Sequence, residues 1–212
     1  MLDNKKILKV VELLEKNYPE AKVALEFSTP WQLLVAVILS AQCTDERVNI
    51  VTRQLFKKYP DIKNFAKLKP EQLEEEIRST GFYKNKAKSI LENAKIILTQ
   101  YNGKVPDKME DLLKLKGVAR KTANIVLFNA YNKIEGIAVD THVKRLSQRI
   151  GFTDEKDPVK IEQDLMKKIP RKKWGKISYL LQAHGRKVCR AKKPDCRNCF
   201  LNKICLKREY KK

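Results

Sequence analysis

The chain has 212 residues, and its 46 Lys plus Arg against 25 Asp plus Glu give a formal net charge of +21. This length, with 42% hydrophobic residues, supports a packed core in one large or two small domains and excludes general disorder. The charge points away from a small neutral ligand and towards polyanions: nucleic acid, an anionic membrane surface or an acidic partner.

Nearly every segment reads with helical spacing, and no run reads convincingly as a strand, so the fold class is all-α. Residues 1–18 carry charge throughout and lack the apolar stretch and cleavage site of a secretory signal, which predicts a reducing compartment. Val10, Leu13 and Leu14 mark the first amphipathic helix. Ser28-Thr29-Pro30 supplies a capping hydroxyl and a proline at the first helical position, opening a helix over residues 31–41 that is apolar nearly all round. Its apolar run, residues 33–39, is far shorter than the roughly 20 residues needed to span a bilayer, so no membrane crossing is expected.

Thr44-Asp45-Glu46 starts the next helix, to about residue 58, with acidic residues complementing its positive end. Pro70 opens another, closed by Gly81. A long helix over residues 84–101 carries Ile90, Ala94, Ile97 and Leu98 on one stripe and ends at Asn102-Gly103. Val105-Pro106-Asp107 breaks the chain again. Two helices come next, over residues 107–114 and 119–131, joined by a link too tight for an ordinary loop. Residues 132–139 are irregular, and Asp140 reads as the N-cap of the following helix. Helices near residues 159–168 and 172–187 precede a tail that, from residue 184 to the end, has 11 basic and 2 acidic residues.

Four of the five cysteines lie in that tail, Cys189, Cys196, Cys199 and Cys205, with the spacing C-x6-C-x2-C-x5-C. Four thiolates suit either a tetrahedral zinc or an iron-sulfur cluster, and a reducing compartment disfavours disulfides. The single C-x2-C flanked by lone cysteines departs from the two paired C-x2-C units of common zinc ribbons. Cys43 stands apart and reads as a small buried hydrophobe. His142 and His184 are the only histidines, too few for a histidine metal site.

Residues 107–131, with Leu115-Lys116-Gly117-Val118-Ala119 at the turn, resemble a helix-hairpin-helix. In that motif backbone N–H groups at a helix N-terminus bind a DNA phosphate without reading base sequence. Lys121 lies in the first turn of the second helix beside Arg120. A positive helix end and a neighbouring cation both disfavour an ammonium ion there, so it is a candidate amine nucleophile, while a solvated face is the ordinary reading for one of 35 lysines. Asp140 reads first as a cap, and second as a carboxylate held near a developing positive charge.

These segments occur in a known order. Ser40-Ala41-Gln42-Cys43-Thr44-Asp45, Gly81-Phe82-Tyr83, residues 115–124, Val139-Asp140-Thr141-His142, His184-Gly185-Arg186 and the four-cysteine tail together resemble the endonuclease III family of the helix-hairpin-helix, Gly/Pro-Asp DNA glycosylase superfamily. The resemblance implies two helical lobes with DNA between them. A six-helix domain at residues 23–133 contains the hairpin, and a discontinuous domain at residues 1–22 and 134–212 carries a 4Fe-4S cluster on Cys189, Cys196, Cys199 and Cys205. It further implies a monomeric, bifunctional glycosylase and abasic-site lyase of base excision repair, acting on oxidised pyrimidines in double-stranded DNA and, in a prokaryote, cytoplasmic and nucleoid-associated.

Lys121 is implied as the Schiff-base nucleophile and Asp140 as its carboxylate partner. Gln42 and Phe82 are implied to fill and wedge the base stack, Lys116, Gly117 and Ala119 to face a phosphate, and Lys192 and Lys193 to reach phosphates from the cluster loop. A monofunctional mismatch glycosylase and a non-catalytic DNA-binding iron-sulfur sensor are the alternatives; the former typically lacks the lysine. The sequence departs from the family pattern at four places: Lys116 replaces a proline, Ala119 replaces a glycine, the loop before Asp140 has Gly136 but no proline, and Phe82 replaces the more usual leucine.

Overall fold

A helix that is apolar on nearly every side needs a core on nearly every side. In the computed structural model, which describes residues 1–207, the second helix, α2 (Pro30–Leu39), buries eight of its ten residues, from Trp31 through the run 33–39. Thr29 starts it by accepting the Gln32 N–H at 3.2 Å, and Pro30 occupies the first turn, where its missing N–H costs nothing. Each fully buried Leu, Ile or Val contributes roughly 1.5–3 kcal/mol, so α2 contributes heavily to the stability of its unit.

The described residues form eleven α-helices with two short 3-10 turns and no strand. No helix is long and apolar enough to cross a membrane among the described residues. The chain divides into two units, Ala24–Glu135 and a discontinuous unit of Met1–Val23 with Gly136–Lys212.

In the 24–135 unit, α2 packs against α3 (Asp45–Lys58), α6 (Tyr83–Gln100) and α8 (Arg120–Tyr131). The α6 stripe buries Ile90, Ala94 and Ile97, whereas Leu98 is half-buried and lies under the turn at Gly103. Asn102 and Gly103 end α6 with positive φ, and the Gly103 N–H closes on the Ile97 carbonyl at 2.9 Å. A short helix, α4 (Ile62–Ala66), joins the six that the sequence pattern places in this unit. It is held by a reciprocal cap between Asp61 and Asn64 and buries Phe65 edge-on against Trp31. Helices α5 (Pro70–Ile77) and α7 (Met109–Leu112) complete the unit.

The other unit is built on α1 (Asn4–Asn17), α9 (Thr141–Ile150), α10 (Pro158–Lys168) and α11 (Trp174–Lys187). Its core joins Ile7, Val10, Val11 and Leu14 of α1 to Val143, Leu146 and Ile150 of α9, with Leu165 and Leu180 from the later helices. Gly185 explains how closely α9 and α11 cross. A Cβ there would stand 2.9 Å from the Arg145 guanidinium and 3.0 Å from the His142 ring, so no larger side chain fits without a shift.

Candidate active site and cysteine cluster

The hairpin turn runs between α7 and α8. Gly117 sits at φ +71°, and a Cβ there would press on Ser89 Oγ at 3.3 Å, so both conformation and space select glycine. The turn is clamped from α6 by Asn93, a fully buried residue. Its Nδ2 donates to the Lys116 carbonyl at 2.8 Å, and its Oδ1 accepts the Lys116 N–H at 2.7 Å. Val118 closes back on Leu115 at 3.3 Å.

These bonds leave an alternating pattern. The N–H groups of Lys116 and Val118 are spent inside the turn, while those of Gly117 and Ala119 have no acceptor among the described residues. Ala119 is the N-cap of α8 with no side-chain cap of its own, so the positive end of α8 is open to an anion. Its φ is −96°, an extended conformation that alanine adopts freely, so losing the family's second glycine costs no backbone strain. Lys121, the second residue of α8, is half-buried.

Two further positions of this unit are held in unusual conformations. Gln42 (φ 53°) and Phe82 (φ 48°) both lie in the left-handed region, preceded in the second case by Gly81 at φ 70°. Both side chains are exposed, and Phe82, at 61%, is an unusually exposed aromatic ring. Cys43, beside Gln42, is half-buried rather than buried: α2 ends at Leu39, so the cysteine lies in the turn beyond it and not on the core helix.

In the discontinuous unit, Asp140 caps α9. Its Oδ1 accepts the Val143 N–H at 2.7 Å, and its Oδ2 lies 3.5 Å from His142 Nδ1. The side chain is only 17% exposed. The loop leading to it lacks the family's proline, and other contacts supply the restraint. Ile137, Ala138 and Val139 are buried, the Ile137 N–H donates to Glu162 at 3.3 Å, and Ser178 Oγ donates to the Ala138 carbonyl at 2.8 Å.

The same helix reaches the cysteine loop. Arg145 donates to the carbonyls of Gly185 and Cys189, and Arg149 donates to those of Arg190 (2.7 Å) and Ala191 (3.0 Å). Lys192 and Lys193 are therefore displayed, exposed, on a loop whose start is fixed by α9. Cys189, Cys196, Cys199 and Cys205 form no disulfide, are half-buried, and line one pocket with Ile150, His184 and Leu201.

Donors face the sulfurs. Arg149 Nη1 is 3.8 Å from the Cys189 sulfur, the Leu201 N–H is 3.4 Å from that of Cys199, and His184 Nε2 lies 3.6 Å from the Cys199 sulfur. Burial pushes the Cys199 and Cys205 thiols up, and pushes His184 down to about 4, leaving a neutral ring whose Nδ1 meets the Tyr18 hydroxyl at 2.9 Å. Asn93, Arg145 and Arg149 carry no sequence signal as site-builders. Gly185 has one, as a glycine inside a helical run.

A fold of this kind, with a hairpin turn that offers two backbone N–H groups and a helix-capping aspartate, defines a class of DNA-repair protein. The model of the HhH-GPD superfamily of base excision DNA repair proteins matches residues 35–171, more than half of the chain. Endonuclease III of Synechocystis sp. is 53% identical over 196 residues, 92% of this chain and 90% of that protein. Two solved structures are each 40% identical with a TM-score of 0.93, covering 99% of this chain and 98% of theirs: a non-covalent endonuclease III–DNA complex, and a trapped endonuclease III–DNA covalent intermediate. The chain belongs to the endonuclease III family. Its activity is the family's, that of a bifunctional DNA glycosylase and abasic-site lyase of base excision repair.

Proposed function

We propose that this protein removes oxidised pyrimidines from double-stranded DNA and then cleaves the strand, with Lys121 as nucleophile and Asp140 as its carboxylate partner. The observation that carries this reading is the start of α8: the two unengaged N–H groups of Gly117 and Ala119 lie within one helical turn of Lys121. A phosphate held there brings the sugar backbone to the amine, and Lys116 adds charge to the same turn.

The reaction begins when the damaged base is flipped out of the stack, which costs a few kcal/mol, less where pairing is weakened. Gln42 fills the vacated place and Phe82 wedges the opposite strand. The free amine of Lys121 attacks the sugar C1′, the C1′–N bond to the base breaks, and the base leaves with the electron pair. Asp140 stabilises the cationic, sugar-like transition state and takes a proton from the attacking amine. The sugar ring then opens at the C1′–O4′ bond, with a proton passed to O4′, to give the protonated imine; this acidifies the 2′ hydrogen, and β-elimination expels the 3′ phosphate.

The four thiols fit a 4Fe-4S cluster: they line one pocket and face N–H and guanidinium donors. Cys189, Cys196, Cys199 and Cys205 would each ligate one iron, and the bound group supplies a cross-link that shapes the basic loop bearing Lys192 and Lys193. Iron-sulfur occupancy gives a brown protein with broad visible absorbance, and a colourless protein with one zinc would refute it.

Borohydride reduction of the reacting mixture tests the mechanism. It should trap a covalent protein–DNA adduct with abasic or oxidised-pyrimidine duplexes, and Lys121→Gln should abolish it. An undiminished adduct in Lys121→Gln would overturn the assignment.

A further inference from the structure

Lys86 is 5% exposed, and no carboxylate pairs with it among the described residues. Burying an ammonium ion without a counter-charge is costly, so its partners must be good ones. They are two carbonyls, Leu39 O and Thr80 O, each 2.8 Å from Nζ. Leu39 is the last residue of α2, and Thr80 is the last residue of the 3-10 turn Arg78–Thr80. Both carbonyls belong to the negative ends of helical segments, where a cation is favoured. Burial still holds the amine's pKa below the ordinary lysine value.

The segments that leave these two carbonyls are the strained ones. Three residues beyond Leu39 is Gln42, and two beyond Thr80 is Phe82; both are exposed, and both are left-handed in φ. Left-handed conformations at non-glycine residues are strained and persist only where the surroundings over-determine them. Lys86 also donates its backbone N–H to the Phe82 carbonyl at 3.2 Å. One residue of α6 thus holds both strained segments from beneath, through three hydrogen bonds.

We propose that Lys86 is a positioning residue for base-stack insertion, fixing the separation and direction of Gln42 and Phe82 so that the two enter the duplex together. The inference rests on the reading of Gln42 and Phe82 as inserted residues. Lys86 touches no DNA itself: it acts through the two loops it ties together.

The test uses the whole protein and a duplex with 2-aminopurine beside an abasic-site analogue, whose fluorescence rises when the neighbouring stack opens. Lys86→Met should lose most of the rise at saturating protein and slow excision by about tenfold, the scale of a small misplacement. Because Lys86 acts through both Gln42 and Phe82, adding Lys86→Met to the Gln42→Ala/Phe82→Ala pair should slow excision no further than that pair alone. Lys86→Gln, which keeps a donor for one carbonyl, should be intermediate.

If Phe82→Ala and Gln42→Ala keep the wild-type fluorescence rise, the reading of those residues as inserted fails. If they lose it while a folded Lys86→Met or Lys86→Gln keeps it, the role of Lys86 fails. Further slowing when Lys86→Met is added to the Gln42→Ala/Phe82→Ala pair, or failure of both Lys86 variants to fold, would make Lys86 a purely structural residue and overturn the proposal.

Discussion

The hairpin turn and the cysteine loop both display backbone and lysine to solvent, yet they are held in opposite ways. The turn is closed by neutral bonds from one buried amide, Asn93, and by one left-handed glycine. The loop has almost no regular structure of its own. Charged guanidinium groups from α9 hold its first residues, and four thiols face a shared pocket. Both are anchored by another helix, but a short turn needs only one amide whereas a long loop needs several anchors, because ordering each residue costs about 1–2 kcal/mol of backbone entropy.

That contrast breaks first where the two regions differ most. If the four cysteines hold the proposed cluster, iron removal or Cys199→Ala should cost the loop most of its order, the largest effect of the set, because the cross-link that shapes it is lost. Amide hydrogen exchange should show residues 188–206 losing protection while residues 113–119 keep theirs; equal loss in both would erase the distinction. Next in size, Asn93→Leu strands the Lys116 N–H and carbonyl in a partly buried place. It should lower unfolding free energy in a denaturant titration by about 2–4 kcal/mol, without bleaching the visible absorbance.

The smallest effects test single backbone positions of the turn. Gly117→Ala should cost about 1–2 kcal/mol, since φ is +71° and Ser89 stands close. Ala119→Gly should change stability by no more than about 0.5 kcal/mol, because φ is −96° there and glycine's entropy cost is offset by its better capping. A large loss in the second variant, measured by the same titration, would mean that the side chain at residue 119 matters in a way the backbone does not show.

Helix starts at Thr29, Thr44 and Asp140 are legible in the sequence, because a side-chain cap is a local interaction between residues three apart. Asn102-Gly103 ends α6 for a similar reason. The short α4 is not legible, because five residues show no periodicity, although Asp61 and Asn64 are its caps.

Lys86, Asn93, Arg145 and Arg149 are hidden for a deeper reason. Each is a polar residue on a helix whose partner is a backbone carbonyl or amide distant in sequence, and nothing in local spacing distinguishes a buried lysine from a solvated one. The restraint on Asp140 is illegible too, since it comes from Glu162 and Ser178 and not from the expected proline.

Helix α9 carries a carboxylate at one end and a guanidinium at the other. Ten residues at 1.5 Å each make a rod about 15 Å long, and Gly185 lets α11 press against its middle so closely that it has little room to slide. The cap that holds the Asp140 carboxylate and the guanidinium that holds the cysteine loop are thus set at a fixed separation by one helix.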